Sequence, residues 1–217
     1  MAHQSSTKTS PIRRRSAGRA TTTDIRACFM MCAAQILYIN GDLDRAPQIG
    51  WLNAQFNRKP SEPTDDGSVR QWLLSHGYTS TEYEPCDLDR CVNDYGYWAE
   101  ALANEDPGFD LNKDHHDLWE YFRPFGRSSL RLRREFPENM RVIPKMGTPE
   151  ILDDLLADGQ LVTMPVDLQF NVFGLVFNGN SQSDFIVYDP MYGKVKRSAE
   201  TLFPAGQLAL EAWQKVA

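Results

Sequence analysis

The first cysteine of the chain is the residue whose position best suits it to covalent chemistry. Cys28 stands directly before an apolar run, Phe29 to Ile39, which ends at Asn40-Gly41. A run of this length closed by Asn-Gly is typical of a buried helix. At the first turn of a helix, unpaired N–H groups and the positive end of the helix dipole favour the thiolate form of a cysteine. The sequence therefore predicts an activated thiol at Cys28, with a small core residue as the alternative.

A thiol nucleophile also needs an imidazole that takes its proton and an oxygen that orients this imidazole. The chain has four histidines, of which His3 lies in a polar N-terminal segment and His76 at the end of a predicted helix. His115 and His116, within an Asp-His-His-Asp sequence, are the better candidates for the base, with a solvated turn as the alternative. Residues so close in sequence do not easily converge on one ion, so no metal or other cofactor is expected.

The number and spacing of the cysteines bear on the redox state of the protein. Four cysteines in 217 residues are too few for a disulfide framework. Cys28 and Cys32 are separated by three residues and Cys86 and Cys91 by four, whereas zinc knuckles typically use two. We therefore predict reduced thiols in a cytoplasmic protein.

Composition and charge limit the kinds of partner. The chain is 41% hydrophobic and 24% charged, as expected for one folded, soluble domain. A net charge of −6 makes nucleic acid or an anionic membrane an improbable main partner. No apolar run approaches the roughly twenty residues that a membrane span requires.

Three parts of the chain differ in composition. Residues 1–22 are rich in Ser and Thr, contain Arg13-Arg14-Arg15 and have few large apolar side chains, so a disordered basic tail is predicted. Such a tail suits an acidic partner. Residues 23–217 are predicted to form a single domain, with an inserted lobe at about 105–145 in which acids, aromatics and arginines alternate.

The hydrophobic periodicity predicts helices first and then a sheet. Besides the helix that begins at Cys28, it predicts helical segments after Pro47, around Val69 to Leu74, over Cys91 to Leu102 and after the capping Thr148, and a final helix with Leu208, Leu210 and Trp213. The predicted strands are Tyr78–Tyr83, Leu161–Val166, Val172–Phe177, Phe185–Tyr188 and Lys194–Arg197. Short turns between the last four strands indicate an antiparallel sheet.

This order of motifs resembles the papain-like cysteine peptidases, and more narrowly the bacterial branch that includes the bacteriocin leader peptidases. The similarity is carried by Cys28 through Tyr38-Ile39-Asn40-Gly41, by Trp72-Leu73 with His76-Gly77-Tyr78, by Ile151 to Gly159-Gln160, and by Tyr188-Asp189-Pro190 with Gly193. The resemblance implies an α+β fold in which an N-terminal helical part carrying the cysteine helix packs on a C-terminal antiparallel sheet.

The resemblance also assigns the site residues. Cys28 matches the nucleophile of the family and Asp189 the residue that orients its histidine. The family histidine begins a strand, and its position here falls near Phe173, with Asn171 on the same face of that strand. Neither residue can act as a base. The region of the oxyanion-hole glutamine holds Asp24, so Asp24, Asn171 and Phe173 are expected to line the cleft.

Two main functions are compatible with these features. The first is a papain-like thiol hydrolase or acyltransferase that attacks a peptide, amide or thioester bond through Cys28, with His115 or His116 supplied by the inserted lobe. The alternative is a catalytically degenerate papain-like protein, a pseudoenzyme, that serves as a peptide- or protein-binding module. A further hypothesis is a partner-dependent subunit whose arginine-rich tail and lobe become ordered on an acidic surface.

Overall fold

A computed structural model describes residues 16–17, 21–105, 108–167 and 172–216 of the chain. The chain combines eight α-helices with one seven-stranded sheet in these residues, which confirms the predicted α+β class. The helices are α1 (Cys28–Asn40), α2 (Ile49–Gln55), α3 (Asp66–Ser75), α4 (Leu88–Cys91), α5 (Tyr95–Glu105), α6 (His116–Glu135), α7 (Pro149–Ala157) and α8 (Ala199–Leu202), and a 3₁₀ turn (Ile25–Ala27) precedes α1. The strands are β1 (Tyr78–Tyr83), β2 (Met140–Ile143), β3 (Leu161–Asp167), β4 (Val172–Asn178), β5 (Phe185–Asp189), β6 (Gly193–Arg197) and β7 (Leu210–Lys215).

The strands lie in the order β2-β1-β7-β3-β4-β5-β6. All neighbouring pairs are antiparallel except β1 and β2, which run parallel. The strands β3 to β6 are neighbours in the sheet in the order in which they follow one another along the chain, as the sequence predicts. Residues of β3, β4 and β7 alternate between two cores, so that Leu161 and Val162, for example, lie in different clusters on opposite faces of the sheet.

Helix α1 fills the first of these cores. Every residue from Ala27 to Leu37 is buried, since the helix lies against β4 and is flanked by α2 and α3. The helix ends at Gly41, whose φ of 85° is the left-handed conformation that closes a helix through backbone hydrogen bonds to Leu37 and Tyr38. The predicted helix boundaries at Cys28 and Asn40 are therefore confirmed.

The opposite face of the sheet packs against α7 and α8. Thr148 caps α7 by accepting a hydrogen bond from the backbone N–H of Ile151 at 3.4 Å, and Leu152 and Leu155 point into the core formed with β3, β4 and β5. This core is continuous with Phe203 and Leu208, which follow α8. The sheet is thus covered by helices on both faces.

The segment predicted as an inserted lobe contributes to two parts of the fold. Its helix α6 packs on α3, α4 and α5, and its strand β2 pairs with β1 at the edge of the sheet. Helix α6 runs for 20 residues with Pro124 inside it. Among the described residues, none of the helices is both long and apolar enough for a membrane crossing.

The prediction of a helix at the end of the chain is wrong. Residues Leu210 to Lys215 form β7, which lies between β1 and β3 near the centre of the sheet. Ala, Leu, Glu and Gln favour a helix locally, but pairing on both edges and burial of Trp213 outweigh this preference. The indole N–H of Trp213 donates to the hydroxyl oxygen of Thr163 at 3.1 Å, which fixes the side chain in the core.

Only four residues of the predicted N-terminal tail are described. Ala17 is buried in the core around α1, and the backbone N–H of Thr22 donates to the carbonyl oxygen of Pro190 at 2.7 Å. Residues 17 and 22 are therefore packed on the domain. The arginines at 13–15 lie outside the described residues.

Candidate functional site around Cys28

Cys28 begins α1 but does not lie at an open helix end. The 3₁₀ turn runs directly into α1, and the backbone N–H of Cys28 donates to the carbonyl oxygen of Ile25. The first residue of this turn is capped by Asp24, whose carboxylate accepts from the N–H of Arg26 at 3.2 Å. Because of this extra turn, some of the N–H groups that were predicted to favour the thiolate of Cys28 already have backbone or carboxylate partners.

The start of β4 lies beside two thiols of α1. The backbone N–H of Phe173 donates to Sγ of Cys28 at 3.3 Å, and the thiol of Cys32 donates to the carbonyl oxygen of Phe173 at 3.4 Å. The ring of Phe173 meets the ring of Phe29 edge-on, with centroids 5.9 Å apart. Phe173 thus lies next to Cys28, where the resemblance places the family histidine, and presents a backbone amide to the sulfur.

Burial decides the ionisation of the Cys28 thiol. Its side chain is buried, with only 6% of the residue exposed, and this burial raises its pKa to about 11. The N–H of Phe173 acts in the opposite direction, and the carboxylate of Asp66 raises the pKa further. The prediction of a thiolate favoured by the helix start is wrong here because loss of hydration outweighs the backbone N–H groups. At neutral pH, Cys28 is therefore a thiol.

Asp189 ends β5, which pairs with β4, the strand that carries Phe173. Burial raises the pKa of Cys32, and electrostatic interactions with Cys28 and Asp189 raise this pKa further. The Oδ1 atom of Asp189 accepts from the backbone N–H groups of Met191 at 2.8 Å and Tyr192 at 3.3 Å. Its carboxylate thus holds the turn after β5.

The second carboxylate oxygen of Asp189 faces a cation. Its Oδ2 atom lies 3.6 Å from Nη2 of Arg197 on β6. Both oxygens of this buried carboxylate therefore have partners from the β5–β6 region, and the partners are an arginine and backbone amides where the family places an imidazole.

The two candidate bases lie in another part of the fold. The Nε2–H of His115 donates to the carbonyl oxygen of Asp110 at 2.8 Å, and its ring stacks on Phe109. The Nδ1–H of His116 donates to the carboxylate of Asp114 at 2.7 Å, and its ring stacks on Tyr95 at 3.8 Å. Within the described part of the chain, neither histidine has a polar or ring contact with α1 or β4. The structure does not bring them to Cys28.

The other two predicted site residues are Asp24 and Asn171. Asp24 binds Nη2 of Arg58 at 2.6 Å and the backbone N–H of Ser61 at 3.0 Å, and so fastens the loop after α2 to the start of α1. Burial alone would raise the pKa of Asp24, but the hydrogen bond and charge of Arg58 lower it overall. Asn171 lies outside the described residues.

The cysteines and histidines do not assemble a metal centre in the ranges that the structure describes. Cys28 and Cys32 belong to α1, whereas Cys91 is buried in the separate core of α4, α5 and α6. All four cysteines are unlinked by disulfides. His76 caps the end of α3, with its Nδ1–H donating to the carbonyl oxygen of Trp72 at 2.9 Å.

The structure contains a buried cluster of charges that the sequence analysis missed. Glu82 on β1 lies directly opposite Glu211 on β7, and both are about 6% exposed. Arg70 of α3 donates through Nε to both carboxylate oxygens of Glu211 at 3.2 Å. Arg133 of α6 binds Glu82, and also Glu84 at 2.5 Å. We call these five residues the sheet charge cluster.

The sheet charge cluster adjoins the surroundings of Cys28. The guanidinium carbon of Arg70 lies 4.9 Å from the ring centroid of Phe29, and the charge of Asp66 acts on both Arg70 and Cys28. Burial raises the pKa of Glu211 to about 7, since the charge of Arg70 offsets burial only in part and Glu82 opposes ionisation. Burial likewise raises the pKa of Asp66 to about 6.

These raised pKa values predict that the folded chain is more stable in mild acid. Between the ordinary pKa of a glutamate, 4.5, which Glu211 has in the unfolded chain, and the folded value of about 7, the folded state holds more protons than the unfolded state. Stability therefore falls as pH rises through this window. We expect the free energy of unfolding in urea to be about 2 kcal/mol larger at pH 5 than at pH 8.

A substitution separates Glu211 from other causes of this pH dependence. Glu211→Gln should flatten the profile above pH 5 and leave the smaller contribution of Asp66, whereas Glu138→Gln at an exposed position should leave the profile unchanged. The prediction is wrong if the wild-type chain gains stability from pH 5 to pH 8.

The site therefore combines the buried thiols of Cys28 and Cys32, the carboxylate of Asp24 that caps the 3₁₀ turn, and the neighbouring sheet charge cluster. Of the predicted site residues, the structure brings Cys28, Phe173 and Asp189 into one region, and it places His115 and His116 elsewhere. Comparison of the chain with models of known protein families and with curated proteins gives no match.

Proposed function

We propose that this chain is a catalytically degenerate papain-like protein that binds a peptide or protein partner. The observation that supports this most directly is the state of Cys28: its sulfur is buried, receives the N–H of Phe173 and has a pKa raised to about 11. A cysteine hydrolase needs a thiolate that is exposed to a carbonyl carbon. A buried and protonated Cys28 is suited to packing in the core and not to attack on a carbonyl carbon.

The surroundings of Asp189 support the same proposal. In a triad, this carboxylate would orient an imidazole, and loss of the base lowers the rate of such enzymes by orders of magnitude. Here its oxygens bind the turn at Met191 and Tyr192 and face Arg197. The carboxylate thus has a structural task that does not require catalysis.

A binding function is supported by exposed apolar side chains at and just before the start of α6. Tyr121 is 54% exposed and Leu118 is 42% exposed on the first half of α6, and Leu111 just before it is 53% exposed. Leu118 and Tyr121 are three residues apart and so are neighbours on one face of α6, and exposed apolar and aromatic neighbours of this kind are typical of interfaces. The first half of α6 therefore offers a surface for a partner.

The thiol hydrolase or acyltransferase is the second candidate. It is favoured by the position of Cys28 at the head of α1, by the backbone N–H at its sulfur and by Asp189 in the same region. For Cys28 to act, the start of β4 would have to move away and an imidazole would have to reach the sulfur.

A random peptide library tests the two candidates together. Peptides are selected on the immobilised wild-type protein, and each is then measured for binding and followed by mass spectrometry during overnight incubation. We expect reversible binding, intact peptides, and Kd values for Cys28→Ala within about twofold of wild type. Cleavage or transfer by wild type but not by Cys28→Ala would establish the hydrolase or acyltransferase, and a library without a specific binder would refute the binding function.

A further inference from the structure

A groove between α4 and α6 carries three arginines on one side. Arg127, Arg131 and Arg134 follow one another at intervals of four and three residues, so they lie on one face of α6. Together with Val92 and Leu130 they line a cavity of about 450 Å³ that opens to solvent. We call this cavity the arginine groove.

The floor of the arginine groove is held in place by close helix packing. Gly126 of α6 approaches Val92 so closely that a Cβ atom at this position would lie 2.4 Å from Cγ1 of the valine. The Nε–H of Arg123 donates to the carbonyl oxygen of Val92 at 3.1 Å, and the indole N–H of Trp119 donates to that of Cys91 at 2.8 Å. The groove therefore exists before a ligand arrives, which lowers the entropy cost of binding.

The guanidinium groups of the groove are available to an anion. Within the described residues, Arg127 has no hydrogen bond or ion pair. Arg134 lies 3.5 Å from Asp89 and Arg131 lies 3.8 Å from Glu135, with all four side chains about half exposed or more. Exposed pairs of this kind contribute little stability, so a ligand carboxylate can replace them at small cost.

The chemistry of the groove favours an acidic peptide. Guanidinium groups bind carboxylates through paired N–H donors, and the partly exposed Leu130, next to Arg131 on α6, suits a hydrophobic side chain between two acids. A continuous phosphate backbone suits the groove less well, because the row of three arginines is short and is bordered by Asp89 and Glu135, whereas a peptide with two carboxylates needs no cation beyond this row.

The length of the arginine row sets the spacing of the acids. Seven residues of helix from Arg127 to Arg134 rise roughly 10 Å, the length of about three residues of extended peptide. We propose, on the basis of the binding function above, that the arginine groove binds an extended peptide segment of a partner protein with two acidic residues about three positions apart and an apolar residue between them.

The test uses a fluorescein-labelled peptide with two glutamates three positions apart around a leucine, and a counterpart with glutamines. Binding to the full chain is measured by fluorescence polarisation for wild type, Arg127→Glu/Arg131→Glu and, as a control with equal charge change per site, Lys196→Glu on β6. We expect the Kd of the glutamate peptide to rise at least about tenfold in the double variant. In Lys196→Glu this Kd should change less than about twofold. Binding should also weaken as NaCl rises.

The outcomes separate this proposal from the binding function. If library-selected peptides bind wild type and the double variant equally, the arginine groove is refuted while the binding function stands. If the glutamine peptide binds as tightly as the glutamate peptide, the charge argument is refuted. A single-stranded oligonucleotide that binds the groove more tightly than the peptide would overturn the assignment of a peptide. The variant Arg127→Ala/Arg131→Ala, with the circular dichroism spectrum of wild type, checks that loss of binding does not come from loss of folding.

Discussion

Replacing Arg70 by methionine is expected to lower the free energy of unfolding by about 3–5 kcal/mol at pH 8. Arg70 supplies the guanidinium that pairs with Glu211 at 3.1–3.2 Å and lies 3.7 Å from Glu82. Without Arg70, the carboxylates of Glu82 and Glu211, which lie opposite each other on neighbouring strands, stay buried with too few cations to balance their charge. The cost arises from burying an unpaired charge, which is larger than the net stability of the pair itself.

Urea denaturation of three variants tests this explanation. Arg141→Met, at an exposed position on β2, is the control and should change stability by less than about 0.5 kcal/mol. The double variant Arg70→Met/Glu211→Met should recover a large part of the loss, because it removes both members of the pair. The loss in Arg70→Met should also shrink at pH 5, where Glu211 binds a proton. A loss below about 1 kcal/mol in Arg70→Met at pH 8 would contradict the account.

Much of the fold could be predicted from local sequence signals. The apolar run closed by Asn40-Gly41 gives α1, and the alternation from Leu161 to Arg197 gives four successive antiparallel strands. These elements follow from residue periodicity and turn chemistry, which are properties of neighbouring residues. The strand β7 could not be predicted in this way, since its conformation depends on pairing with β1 and β3, which lie far away in the sequence.

The site was predictable only in part. The resemblance to the papain-like peptidases implied a position for Phe173 near Cys28, where the structure places its N–H at the sulfur, whereas His115 and His116 lie elsewhere. The exposure of that sulfur depends on how tightly the 3₁₀ turn and β4 enclose it, which no local pattern records. The sheet charge cluster was missed for the same reason, since Arg70 and Glu211 are 141 residues apart in sequence.

The reactivity of Cys28 follows from its buried thiol. An ordinary cysteine has a pKa near 8.5, whereas the pKa of Cys28 is raised to about 11. The fraction of thiolate at pH 7.5 is therefore roughly two orders of magnitude lower than in the unfolded chain, and enclosure by β4 slows alkylation further. Cys86 is partly exposed and supplies an internal comparison in the same molecule.

The measurement that bears most directly on the proposed loss of catalysis is the pH dependence of Cys28 alkylation by iodoacetamide, followed by peptide mass spectrometry. We expect the native protein to react at Cys28 at least about 100-fold more slowly than urea-unfolded protein at pH 7.5, with a rate that keeps rising up to pH 10. A rate at Cys28 that is already at its plateau at pH 7, and faster than in the unfolded protein, would contradict this account and identify Cys28 as an activated nucleophile.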